Sequence, residues 1–407
     1  MNYNLLEVPT KKIQGIKPHP FISALHCNSK NNLSCGLMWA NPCLFEVRLA
    51  ADGSFLSFED SGLEEALEDK SLWGLGHGLR STTSGDTALV SYHKGFLPEF
   101  VTSIFGQNLV TKAGDALREF LLKQDDGMGA LLRHSIVQIV NHEFKVRRFK
   151  DPGMVWDVAH IGDYIFGLQG QALWREPYLH TEKRETLRKD LGPTFYLHKD
   201  KSEEGFFWLC GDKGRLLRMA LTDIKAKPTP IRLADSSGMG SSAAGLDGWL
   251  YFTNKNCKQL ARVRRNPISH EEESQVLVDS DLSIRAVCQI PDAPNRGRIV
   301  FSVERKEGAE IKGFEILNTE DNPEDKEALP PLPKIESFGL VAGMSHMGSL
   351  TLWPFGFENF DNEANQNTQN KNQTSKTKII LWGGEGSWWQ NHQEKPGSPP
   401  RLVQIEL

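Results

Sequence analysis

The feature that most constrains this chain is a pattern that recurs along it. An apolar run leads into a glycine-containing turn, and a second apolar-aromatic run follows. Clear copies lie at Asp157 to Phe166, Ser242 to Phe252 and Ala342 to Leu352. Self-similarity of this kind means that one small unit is stacked many times, since no single copy could bury its own apolar face.

The second run of each unit starts near Leu37, Ala88, Asp163, Phe206, Trp249, Arg298 and Lys378. Four of the six spacings between these starts fall between 43 and 51 residues. That is the length of a four-stranded propeller blade. The other two, 75 and 80 residues, each contain an insertion. The sequence therefore predicts an all-β, seven-bladed β-propeller with one helical insertion, as a single domain over residues 1–407.

Within the units the alternation is that of strands. Leu44 to Leu49, the Asp52-Gly53 turn and Ser54 to Phe58 read as a hairpin. Gly205 to Cys210 with Arg215 to Leu221 reads as another, and so does Arg298 to Val303 with Gly313 to Leu317. The small residues Ser241 to Gly245 suit an inner strand beside a crowded central channel. The carboxy-terminal run Arg401 to Leu407 needs an amino-terminal partner to close the ring, either Asn4 to Val8 or Pro20 to His26. Closure would hide edges that otherwise invite aggregation.

The first insertion spans residues 96–133. There Leu109, Val110, Ala113, Ala116, Leu117, Phe120 and Leu121 recur at three and four, the signature of an amphipathic helix. The second spans residues 358–377 and is rich in Asn and Gln. Its composition offers nothing to bury and predicts a disordered loop. Pro330, Pro331 and Pro333 mark a linker between blades.

Composition excludes more than it assigns. The net charge is −5, from 47 basic and 52 acidic residues, so no nucleic-acid partner is expected. Arg262, Arg264 and Arg265 read as solvated hairpin positions. No run of about 18 apolar residues exists, so no membrane insertion is expected. The six cysteines include no C-x-x-C pair, and they read as buried, reduced thiols. With no signal-peptide pattern at the start, the expectation is a cytoplasmic protein.

Two constellations could carry chemistry. His77, His160, His198 and His346 fall at similar places in their units, and a ring would bring such positions round one channel mouth. Four imidazoles there could hold iron, zinc or copper, as an oxygenase would require. Alternatively, carboxylates facing the channel could hold calcium in a lactonase or hydrolase. Asp157, alone in an apolar strand, leads that set, ahead of Asp235, Asp281, Glu336 and Asn254. Trp388 and Trp389 would serve a lectin-like, carbohydrate-binding propeller. Against these stands a binding or assembly module that presents a loop-rich face to a protein or small-molecule partner. No cofactor is assigned by any motif.

The segment Ala243 to Phe252, with Leu246-Asp247-Gly248-Trp249 at its centre, and its relatives resemble the broad group of seven-bladed propellers with NHL-type and YVTN-type repeats. The resemblance covers about residues 35–407. It implies the fold, and it implies binding or catalysis at a propeller face, with no catalytic residue carried over.

Overall fold

A computed structural model describes residues 1–9, 21–27, 33–38, 44–60, 72–81, 87–95, 132–140, 143–148, 155–169, 172–177, 184–191, 194–211, 216–223, 229–231, 241–254, 257–266, 268–293, 296–317, 330–344, 346–353, 380–386 and 399–407. The strands within them form five antiparallel sheets of four and one of eight, in which two blades of four are joined at the Met38–Gly74 pair.

The chain begins with β1 (Asn2–Glu7). Blade 1 follows as β2 (Phe21–Cys27), β3 (Leu33–Met38), β4 (Leu44–Leu49) and β5 (Phe55–Asp60). Blade 2 is β6 (Leu72–Ser81), β7 (Thr87–Gly95), β8 (Leu132–Val140) and β9 (Glu143–Arg148). Blade 3 is β10 (Val155–Ile161), β11 (Tyr164–Gln169), β12 (Ala172–Pro177) and β13 (Glu185–Arg188). Blade 4 is β14 (Thr194–Lys199), β15 (Phe206–Gly211), β16 (Leu216–Ala220) and β17 (Thr229–Ile231). Blade 5 is β18 (Ser242–Ala244), β19 (Leu250–Asn254), β20 (Gln259–Arg265) and β21 (Glu272–Asp279). Blade 6 is β22 (Ile284–Ala293), β23 (Arg296–Glu304), β24 (Gly308–Leu317) and β25 (Glu336–Ala342). Blade 7 takes β26 (Met347–Trp353), β27 (Ile380–Glu385) and β28 (Arg401–Glu406) from the end of the chain and β1 from its start.

The first strand of every blade touches the first strands of both neighbours. The cyclic order is β2, β6, β10, β14, β18, β22, β26 and back to β2. These seven strands form the inner wall. The ring is closed by β1, which pairs antiparallel with β28 from Asn2–Glu406 to Glu7–Arg401. Of the two amino-terminal candidates, Asn4 to Val8 supplies this strand, and Phe21–Cys27 becomes the inner strand of blade 1.

Packing between blades explains the apolar runs. In β15, Phe207 and Leu209 pack against blade 3 with Phe166, Leu168 and Leu173, whereas Trp208 and Cys210 pack against blade 5 with Leu250, Phe252 and Val263. A strand buried on both faces must be apolar at every position. Each fully buried Leu or Phe contributes about 2 kcal/mol of transfer free energy. The two chain ends meet the same way, since Val8, Ile22, Leu33 and Val47 pack with Trp353, Trp382 and Leu402.

The Asp52-Gly53 hairpin forms as read. Gly53 takes a left-handed φ of 78°, which glycine adopts without a Cβ penalty. Its carbonyl accepts from Gln404 Nε2 at 2.6 Å, which ties blade 1 to blade 7.

One element of the predicted fold class is corrected. The fold is all-β, and no helix occurs among the described residues. Most of the expected helical insertion, residues 96–131, lies outside them. Its last two residues, Leu132 and Arg133, are the first rungs of β8, paired with Gly95 and Lys94. Cross-strand pairing decides their conformation. The Asn/Gln-rich loop, residues 358–377, also lies outside the described residues. The prolines at 330, 331 and 333 sit within blade 6, just before its outermost strand, and do not join two blades. No described helix is long and apolar enough to cross a membrane. Cys27, Cys35, Cys210, Cys257 and Cys288 are buried and form no disulfide among the described residues.

Candidate functional site

The inner strands share a second feature. Near its first residues, the ladder with the next strand slips in β2 (Ile22/Ala24), β6 (Leu72/Gly74), β10 (Val155/Asp157), β14 (Thr194/Tyr196), β22 (Ile284/Val287) and β26 (Met347/Ser349). A bulge re-aims the side chain that follows it and increases local twist. In β10 the re-aimed group reaches across the seam between blades.

Asp157 follows the bulge in β10 and is fully buried. Its Oδ2 accepts the Leu197 N–H of β14 at 2.9 Å, and its Oδ1 accepts the Val158 N–H at 2.9 Å. A buried carboxylate requires such donors. Asp157 therefore pins blade 3 to blade 4. His198 does similar work one seam further on: it is buried, and its Nε2 lies 2.6 Å from Ser242 Oγ on β18. Between blades 5 and 6, the Val287 N–H donates to Ser241 Oγ at 3.1 Å. Between blades 6 and 7, Ser302 Oγ accepts from the Ala286 N–H at 3.1 Å and donates to the Met347 carbonyl at 3.0 Å.

His346 stands apart. It precedes β26, on the face where the inner strands begin. Its Nδ1 lies 2.8 Å from Glu304 Oε1 at the end of β23. Arg285, on the inner strand β22, donates from Nε to the same oxygen at 2.9 Å. The exposure is graded: the imidazole side chain is 23% exposed, the carboxylate 14% and the guanidinium 10%. Behind them lies Cys257, whose carbonyl accepts the Ile284 N–H at 2.5 Å. Burial pushes the Cys257 thiol above its ordinary range, although the adjacent Arg285 works against this. A carboxylate on one ring nitrogen fixes the orientation of an imidazole. The arrangement presents a polar group with a set direction at a seam, backed by a charge pair.

The four histidines are not gathered at one end by their backbones. His160 and His198 are the penultimate residues of β10 and β14, whereas His346 precedes its strand. His77 falls in β6 within a second register slip, between Leu75 and Leu79. The Met347-Gly348 step resembles a hairpin turn in sequence, but it is the bulge of an inner strand. Among the described residues no group of three or more His, Cys, Asp or Glu side chains is placed to hold a metal ion. Asp281 and Glu336 are exposed, the first before β22 and the second on the outermost strand β25. Asp235, Trp388 and Trp389 lie outside the described residues.

Arg285 and Glu304 were missed from the sequence. The available signal was the one that flagged Asp157: a lone charge in an otherwise apolar inner strand, here Ile284 to Cys288. The arginines of β20 are also not solvated hairpin positions. Arg262 and Arg264 are buried, with guanidinium carbons 4.4 and 4.5 Å from the Trp249 ring centroid. Arg264 also pairs with Glu273 at 2.9 Å, and Arg265 lies 3.4 Å from Glu203. Trp249 belongs to the Leu246-Asp247-Gly248-Trp249 turn, where Gly248 takes a φ of 79°. Asp247 closes that turn by accepting the Tyr251 hydroxyl at 2.5 Å and the Trp249 N–H at 3.3 Å.

Fold and seams together define a seven-bladed β-propeller. Solved structures agree. The chain matches virginiamycin B lyase from Staphylococcus aureus over the whole of both chains, with a TM-score of 0.54 and 11% identity. It matches a chain of the Mitotic Checkpoint Complex with a TM-score of 0.57 and 9% identity, over 99% of this chain and 93% of that one. It also matches YCF48 bound to D1 peptide, with a TM-score of 0.51 and 9% identity, over 100% and 97%. Such low identities establish a shared fold alone. No protein-family model matches the sequence, and no curated protein matches it.

Proposed function

We propose that the protein is a binding and assembly module. It engages a protein partner through the face on which the inner strands begin, centred on Arg285, Glu304 and His346. The observation that carries this reading is the exposure gradient of that trio. Other polar groups on the inner wall, such as Asp157 and His198, are consumed in buried contacts between blades. The trio spans a seam in the same way yet leaves an oriented imidazole part-exposed at a face. Polar groups on a rigid scaffold are the usual furniture of a recognition site. The structural neighbours add support, since one is solved with a bound peptide and another within a multiprotein complex.

The test compares proteins retained by the immobilised wild type, by His346→Ala and by Leu56→Ser, the last at an exposed position of blade 1. A protein retained by the wild type and by Leu56→Ser, but lost from His346→Ala, is the expected result. Identical retention by all three would move the site elsewhere. Retention of no protein at all would remove the module reading.

A further inference from the structure

We infer that the strap Pro330 to Lys334 is a second docking element, read as a polyproline II ligand by a partner domain with an aromatic-lined groove and an acidic rim. Three prolines in four positions fix φ near −65° and supply no N–H groups. The strap accordingly runs outside any sheet before entering β25. A polyproline II helix has three residues per turn and so presents three edges. Exposure follows that period. Pro330 and Pro333 are half-buried, while Pro331, Leu332 and Lys334 are exposed.

One edge is seated on the propeller. The Pro330 carbonyl accepts from Arg262 Nη2 at 3.4 Å and from Gln275 Nε2 at 3.5 Å, both on blade 5. At the other end Ile335 packs into the apolar seam between blades 5 and 6. Pro331 and Lys334 share one outward edge, and Leu332 is exposed on the edge that is covered one repeat later, at Ile335. Leu332 is 60% exposed, and the Lys334 side chain is 87% exposed, with its Nζ 3.3 Å from the likewise exposed Glu336 carboxylate, a pair that a partner's acidic rim would have to displace at little cost. An apolar pair beside a cation is the chemistry that an aromatic groove with an acidic rim accepts. Because its prolines restrict the strap and its first residue is anchored, a partner would order few torsions on binding.

The experiment uses the full-length protein against a panel of purified SH3, WW and EVH1 domains, titrated by interferometry. At least one domain should bind with one-to-one stoichiometry. Leu332→Asp should weaken that binding by at least about tenfold, the size of loss typical of a buried anchor. Lys334→Glu should weaken it independently, which guards against misfolding of the first variant. Leu56→Asp, elsewhere on the surface, should leave it unchanged, and so should His346→Ala, which separates this site from the channel-mouth reading. Binding by no domain of the panel, or equal binding by wild type and both strap variants, overturns the inference.

Discussion

Asp157 and His346 are both polar residues that reach from one blade to the next, yet they sit in opposite physical regimes. Asp157 is enclosed at the seam of blades 3 and 4, and both of its oxygens accept backbone N–H groups. His346 lies at the seam of blades 6 and 7, half-open to solvent, and contacts another side chain. The first kind of contact is needed for folding, because a buried donor left without an acceptor costs free energy. The second kind can be changed with little effect on the fold, and such a position is available for recognition. A polar residue in an apolar strand therefore signals a seam. Only its depth separates a structural pin from a candidate site.

The largest expected effect tests the closed end of this comparison. Asp157→Ala strands two buried N–H groups, and it should lower the unfolding free energy by about 3 kcal/mol, at one to two per lost acceptor. The urea midpoint measures it, and a loss below about 1 kcal/mol would show that water enters this seam freely.

A second buried carboxylate sharpens the point, because there burial outweighs the donors that reach it. Burial raises the Asp247 carboxyl from its ordinary range to about 6, against the lowering effects of Tyr251, Arg262 and the Trp249 N–H. The folded state then holds its proton more tightly than the unfolded state does. Its contribution to stability is present in full below about pH 4 and is lost as pH rises to about 6. The unfolding free energy of the wild type should fall, relative to Asp247→Asn, by about 2 kcal/mol over that window. Parallel pH profiles for the two proteins would contradict this.

His198 is intermediate. Its imidazole is buried, but its contact with Ser242 is one side-chain hydrogen bond. His198→Ala should cost about 1–2 kcal/mol, part of it from the space left behind. Ser242→Ala should recover part of that loss in the double variant, which a double-mutant cycle would read.

The smallest effect belongs to the open end. His346→Ala removes a partly exposed side-chain contact and should change stability by less than about 1 kcal/mol. A loss as large as that of Asp157→Ala would make His346 another pin and leave the exposed trio without a recognition role.

Much of the architecture could be read from the chain. The runs expected near Leu37, Ala88, Asp163, Phe206, Trp249, Arg298 and Lys378 each meet the second strand of a blade, from β3 to β27. They are legible because the second strand of a propeller blade is covered on both faces, so it is a continuous apolar run whatever lies around it. The turns that follow from Asp52-Gly53 and Asp247-Gly248 are equally local, since a left-handed residue needs glycine wherever it occurs.

The site was legible only in part. Asp157, His198 and His346 stood out as polar residues near inner strands, but nothing in the local sequence separates a pin from an exposed group. That difference depends on which blade lies alongside and on a one-residue slip in the ladder. A slip turns every following side chain to the other face and leaves the composition of the strand unchanged. Glu304 shows the same limit, because its partners Arg285, on β22, and His346, just before β26, come from two blades. The choice of Asn2–Glu7 over Phe21–Cys27 as the closing strand spans nearly the whole chain. The sequence alone determined the repeat, the second strands of the blades and the turns, because those depend on neighbours a few residues away. The tertiary structure alone decided the closure, the seam contacts and the face on which His346 opens, because those depend on pairings between residues far apart in the chain.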